Sequence, residues 1–164
     1  MNARKIATLG ILTAVALILG YLESLLAISP VPGIKLGLAN TVLLYALYLL
    51  DAKSAAVLML LKVLLSGLLF SGAFAMLYSF AGGLLSLGAM LLARRIPGVG
   101  VVGVSVCGAV MHNVGQLIVA CMIVQAQAAL SLLPLLLASA ALTGTVTGLV
   151  ARLAIKGLAA QEQK

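Results

Sequence analysis

The sequence predicts an all-α membrane protein with about six transmembrane helices. Three observations carry that expectation. Of 164 residues, 64% are hydrophobic and 8% are charged, against about 25% charged in soluble domains. The apolar residues fall in runs comparable to the roughly 20 residues with which one helix crosses a bilayer. Short polar or glycine- and proline-containing breaks separate the runs. No stretch is long or polar enough for a separate soluble domain, so residues 1–164 are expected to form a single transmembrane domain.

The first helix is expected over residues 4–26. It opens with Arg4-Lys5 and an apolar run from Ile6 to Leu22, a pattern shared with secretory signal peptides. The run is long for such a peptide, no cleavage site follows at once, and more apolar spans come after. A retained helix is therefore expected. Ala7, Gly10 and Ala14 fall at i, i+3 and i+7 on one face. Ala3 with Ala7, and Gly10 with Ala14, are small residues four apart, which let another helix approach closely. That neighbour is either a helix of this chain or a partner subunit.

The longest break in the apolar pattern is Pro30-Val-Pro-Gly-Ile-Lys-Leu-Gly-Leu-Ala-Asn40. Broken backbone inside a membrane needs protein or water to satisfy its polar groups, so this segment is expected to form part of a ligand site. A short second helix is expected over 36–50, then a polar turn at Asp51-Ala52-Lys53. The third helix is expected over 54–70, and Ser71-Gly72 turns into a fourth that ends near Ala93. Arg94-Arg-Ile-Pro-Gly-Val-Gly100 reads as a loop. The fifth helix is expected over 101–124, a turn at Gln125-Ala-Gln127, and the sixth over 130–155 before the polar tail Gln161–Lys164. Gly82, Gly83 and Gly88, and later Ala140, Gly144 and Gly148, are expected at close helix contacts.

Six spans place both termini on one side, and basic residues favour the cytoplasm. Cytoplasmic termini put Arg4, Lys5, Lys53, Arg94, Arg95, Arg152, Lys156 and Lys164 inside, eight of the ten basic residues. The expectation is a multi-pass protein of the plasma membrane (a bacterial inner membrane), with the Pro30–Asn40 break outside. Topology thus explains the net charge of +7, and no nucleic-acid partner is expected.

Charged groups within a span cost about 2.5–3.5 kcal/mol on insertion scales and usually face a cavity or a partner. Lys62 lies near the middle of the third helix, too deep to reach the interface easily. It either binds an anionic or carbonyl group or pairs internally, for instance with Glu23. His112, Asn113 and Gln116 crowd one face of the fifth helix through i, i+3 and i, i+4 spacing. They suit a polar ligand or an interhelical hydrogen-bond network. Glu23 and Lys35 flank the break, where they either pair with each other or touch a ligand. Asn40 opens the second helix and can serve a ligand or freed backbone. The expected substrate-binding set is Lys35, Asn40, Lys62, His112, Asn113 and Gln116.

Catalysis is not expected. The three carboxylates are Glu23, Asp51 and Glu162, and topology separates Glu23 from the other two. They cannot assemble the cluster that holds magnesium beside a diphosphate. Neither GxSxG nor a phosphate-binding GxxxxGK[ST] loop is present. A single histidine without acidic neighbours makes a poor metal site, and no cofactor is expected. Cys107 and Cys121 lie fourteen residues apart in one helix, about 21 Å at 1.5 Å per residue, beyond disulfide reach.

Pro32-Gly-Ile-Lys-Leu-Gly-Leu-Ala-Asn40, Ala81-Gly-Gly-Leu-Leu-Ser86 and Gly108-Ala-Val-Met-His-Asn-Val-Gly-Gln116 together resemble the Gx transporter family. Its members are also labelled heptaprenyl diphosphate synthase component I. Prenyl synthases use aspartate-rich DDxxD motifs, and this sequence has none. The synthase label therefore implies a noncatalytic membrane subunit. Six short helices with a basic inner face and a small-residue first helix are similar to the substrate-binding subunits of energy-coupling-factor transporters. That resemblance implies an S-component-like bundle, with Pro32–Asn40 as a loop over a vitamin-like substrate. It also implies that Ala3, Ala7, Gly10 and Ala14 face a transmembrane coupling subunit, with separate ATPases supplying energy. The first functional expectation is a substrate-capturing subunit of an uptake transporter for a small vitamin-like or anionic molecule. The alternatives are a noncatalytic subunit of isoprenoid diphosphate synthesis, and a scaffold of a membrane flavin or redox complex.

Overall fold

Lipid offers the backbone no water to bond, so each apolar run closes its hydrogen bonds within itself as a helix. The computed structural model describes residues 3–26, 37–123 and 130–161. Six α-helices occur among them: α1 (Ala3–Leu26), α2 (Leu38–Leu49), α3 (Ala52–Ser66), α4 (Gly72–Ala93), α5 (Val101–Ile123) and α6 (Leu133–Gln161). A five-residue π-helical turn, Gly67–Ser71, joins α3 to α4. No strand occurs among the described residues. The Gln125–Gln127 turn and most of the Pro30–Asn40 break lie outside the described residues.

Among the described residues, four stretches are long and apolar enough to cross a membrane: 3–25, 52–93, 101–123 and 133–157. The second of these folds back on itself. The Gly72 N–H donates to the Gly67 carbonyl five residues earlier, and Gly72 then takes φ 79°, a conformation that L side chains resist. The chain reverses there, which brings Met76 onto Gly67 and Met59 onto Gly83. Helix α3 and helix α4 therefore run antiparallel as a hairpin.

Helix boundaries differ from the expected ones for local reasons. Asp51 is extended and its side chain accepts the Ser54 N–H at 2.7 Å. This is an N-cap, so Ala52 and Lys53 belong to the first turn of α3 rather than to a turn before it. Helix α2 is shorter than expected because Gly37 sits at φ 76° and ends the helix on that side. Its 12 residues reach only about 18 Å. Helix α6 runs on to Gln161, past the expected end at Ile155.

The helices close a ring in the order α1, α3, α4, α5, α6, α2, with α2 also touching α3. Glycines set the close approaches on one side. A β-carbon at Gly115 would lie 2.6 Å from the Ala81 carbonyl oxygen, and one at Gly144 or Gly148 would lie 2.8 Å from the Val106 or Val102 α-carbon. These seams lock α5 between α4 and α6. Gly82 and Gly83 also sit at close contacts, whereas Gly88 faces open space. The main core gathers Leu43, Leu44 and Leu47 of α2 with Leu58, Met90 and Val104. Outside it, Ile11, Leu68, Phe74, Met122, Leu142 and Leu153 are largely exposed. A surface so apolar suits lipid rather than water.

Contacts gather the basic residues at one end. Lys5 at the start of α1 pairs with Asp51 between α2 and α3. Arg94, just after α4, donates to the Leu47 carbonyl and lies 4.9 Å from the centre of the Tyr48 ring. It thereby meets an orphan carbonyl at the end of α2. Gly148 packs on Val102, so the later part of α6 lies beside the start of α5. Arg4, Lys5, Lys53, Arg94, Arg95, Arg152 and Lys156 therefore share this end.

Gly115→Ala should destabilise the bundle by about 1–3 kcal/mol through overpacking. Gly88→Ala should be neutral or stabilising by up to about 1 kcal/mol. Thermal denaturation in detergent reads both. The Lys5 hydrogen bond first, and the Ser54 N–H second, hold the Asp51 carboxyl down at about 2 from its ordinary 3.8. A depressed value means that this contact contributes fully above about pH 4 and is lost as pH falls toward about 2. Asp51→Asn should lower Tm at neutral pH, and the gap from wild type should narrow over that acid window.

Candidate functional site

All six helices contribute to one central cavity of about 120 Å³ that opens to the outside. Among the described residues, two buried or half-buried charges face it, Glu23 from α1 and Lys62 from α3. Asn40 enters from the first turn of α2, and His112, Asn113 and Gln116 enter from α5. Phe70 is the aromatic among the lining residues, so the cavity offers hydrogen bonds far more than stacking.

Lys62 and Asn40 belong together. The Lys62 ammonium donates to Asn40 Oδ1 at 3.0 Å, which satisfies part of a deeply placed charge. An ion pair between Lys62 and Glu23 was one expected alternative, and the two do not make it. The Glu23 carboxylate instead accepts the Gly37 N–H at 2.6 Å. That N–H stands at the head of α2, where backbone donors have no helical partner. Glu23 is only 9% exposed, so this charge-assisted bond forms away from water and is stronger for it. Next along the chain, the Asn40 N–H donates to the Gly37 carbonyl at 2.8 Å. Glu23, Gly37, Asn40 and Lys62 thus form one hydrogen-bonded path from α1 through the start of α2 to α3.

The α5 cluster serves two purposes. Asn113 Nδ2 donates to the Leu136 carbonyl of α6 at 2.8 Å, an interhelical tie on a residue that also lines the cavity. His112 packs against Gly82, where a β-carbon would come within 2.9 Å of the imidazole. The glycine of α4 therefore makes room for the histidine ring. Gln116, one turn further along α5, lines the same wall. Ser105 and Thr147 join α5 to α6 at 3.0 Å near the other end.

Of the expected substrate-binding set, Asn40, Lys62, His112, Asn113 and Gln116 line this one cavity. Lys35 lies outside the described residues. Glu23, expected at the flank of the break to pair with Lys35 or Lys62 or to touch a ligand, is a lining residue of the cavity. Its signal was available: it is the one carboxylate within an apolar run. The lining hydroxyls Ser66, Ser71, Ser79 and Thr143 carried no signal, since serine and threonine in apolar helices commonly bond their own backbone. Ala3, Ala7, Gly10 and Ala14 are all exposed, and a β-carbon on Gly10 would meet open space. Their face is not used for packing within the described chain. Among the described residues, no three His, Cys, Asp or Glu side chains stand close enough together to hold a metal ion.

Residues 12–154 match the family of heptaprenyl diphosphate synthase component I. The chain belongs to that family. No curated protein and no solved structure gives a significant match. The matched region takes in the described lining of the cavity.

Glu23→Ala should cost about 1.5–3 kcal/mol, because a backbone N–H loses a charged acceptor. Glu23→Gln keeps an acceptor oxygen and should lose much less. Denaturation of the two variants in detergent makes the comparison.

Proposed function

We propose that this chain is a noncatalytic, substrate-capturing subunit of an uptake transporter for a small polar molecule. The observation that carries the reading is the convergence of Lys62, Asn40, Glu23, His112, Asn113 and Gln116 from four helices on one cavity. These groups line a common space as well as bonding their neighbours, as Lys62 bonds Asn40. Anionic or carbonyl groups suit Lys62, and the amides of Asn113 and Gln116 orient what binds.

The chain supplies no carboxylate cluster or phosphate loop for ATP use, so movement of the substrate falls to partner ATPases. The exposed face Ala3, Ala7, Gly10 and Ala14 is the proposed seat of a transmembrane coupling subunit, since small residues let a helix come close. In the membrane, α1 to α6 make six crossings as a single domain. The basic end lies in the cytoplasm, with both termini on that side and the Glu23–Gly37 end outside.

The family's name favours a second reading, a noncatalytic membrane subunit of isoprenoid diphosphate synthesis. Diphosphate would then meet the basic end. Arg94 is already engaged there by the Leu47 carbonyl and the Tyr48 ring, which argues against it as an open anion site.

Native mass spectrometry of gently purified protein tests the first reading. Wild type should carry a small molecule of at most a few hundred daltons. Lys62→Met should lose it while remaining folded. A variant that retains the same molecule would remove Lys62 from the site.

A further inference from the structure

The described lining of the cavity carries one negative and one positive side chain, Glu23 and Lys62. They are not paired with each other. Glu23 accepts the Gly37 N–H, and Lys62 donates to the Asn40 side-chain oxygen. Gly37 caps α2 and Asn40 lies in its first turn. The two charges are therefore held on neighbouring stretches of one wall, apart yet both facing the same space. A carboxylate has about four acceptor positions, and Gly37 takes one of those on Glu23.

This arrangement bears on what the cavity takes. A ligand of net negative charge is drawn to Lys62 and repelled by Glu23, and a net cation meets the reverse. In a water-poor space both terms are stronger than in bulk water, and they largely cancel. A dipolar molecule gains from both. Resting on the capture reading above, we infer that the cavity takes a small dipolar molecule. One end is anionic or a strong acceptor and faces Lys62. The other is cationic or an N–H donor and faces Glu23. Amino-acid-like zwitterions are the simplest members of this class. The inference narrows the substrate from a generally anionic molecule to one whose charges balance.

Three probes of nearly equal length separate the possibilities: 4-aminobutanoate, butanoate and butylammonium, titrated into purified full-length protein in detergent at constant ionic strength. Binding is read from the shift in Tm. Wild type should bind 4-aminobutanoate at least about tenfold more tightly than either singly charged probe, a difference of about 1.4 kcal/mol. In Glu23→Gln the preference should pass to butanoate, and in Lys62→Gln to butylammonium. Each variant's Tm without probe reports whether it is folded.

A wild-type preference for butanoate would overturn the inference, as would a Glu23→Gln protein with unchanged selectivity. If butanoate wins and Lys62→Gln abolishes its binding, the capture reading survives and only the dipolar class fails. If no probe shifts Tm, the dipolar class fails. The capture reading then stands or falls separately on whether a molecule copurifies with wild type and is lost from Lys62→Met.

Discussion

The hydrogen bond from the Gly37 N–H to the Glu23 carboxylate, 2.6 Å long, fixes where α2 begins. Gly37 takes a left-handed conformation at φ 76°, so the chain enters the helix at a definite angle with its first donor aimed at α1. From that point Asn40 falls within the first turn, close enough to Lys62 for a 3.0 Å bond. A carboxylate buried in an apolar bundle is expensive unless its bonds are good. The head of a helix is a place where such bonds are available, because its N–H groups lack internal partners and its dipole favours negative charge. One acidic residue thus positions α2, and through Asn40 it positions the only lysine in the described lining.

The opposite side of the ring obeys a different constraint. With lipid outside and no large hydrophobic gain from burying one apolar helix on another, close contact between helices depends on small residues and local bonds. Gly82, Gly108, Gly115, Gly144 and Gly148 supply that contact between α4, α5 and α6. Helix α5 is held tightly by this seam, and the polar groups of His112, Asn113 and Gln116 face the interior. Tight seams on one side and a clamp at the head of α2 on the other leave space between them. At the basic end, the Lys5–Asp51 pair and Arg94 on Leu47 tie α1, α2, α3 and α4 together. The cavity reaches from Glu23 and Gly37 to Met90, Ser105 and Thr147.

Much of this was legible in the sequence, for physical reasons. Hydropathy marks helices in lipid because unsatisfied backbone is so costly there. An intramembrane lysine and a His-Asn-x-x-Gln pattern stand out because polar groups are rare in such runs, and five of the six expected site residues meet at one cavity. The sequence marks Glu23 as a polar group beside the break but not its partner, because that partner is a backbone donor that no side-chain pattern announces. The π-helical turn at Gly67–Ser71 was likewise hidden, since it arises from one extra residue per turn and not from a distinctive composition. The N-cap at Asp51 was available as a signal, because an aspartate three residues before a serine at a helix start commonly accepts a backbone N–H. The exposed face of Ala3, Ala7, Gly10 and Ala14 was recognised as a contact surface, with its neighbour left open. Among the described residues that neighbour is not another helix of the chain.

The central claim is that the polar groups of α5 face a water-accessible cavity rather than a closed interhelical network. Thiol labelling in the intact membrane tests it most directly. With Cys107 and Cys121 replaced by alanine, Gln116→Cys should react readily with a charged, water-soluble thiol reagent, because the reactive thiolate forms only where water reaches it. Ile118→Cys, which replaces an exposed residue on the bundle's apolar surface, should remain inert. A Gln116→Cys protein as unreactive as Ile118→Cys would contradict the cavity and leave the cluster a purely structural network.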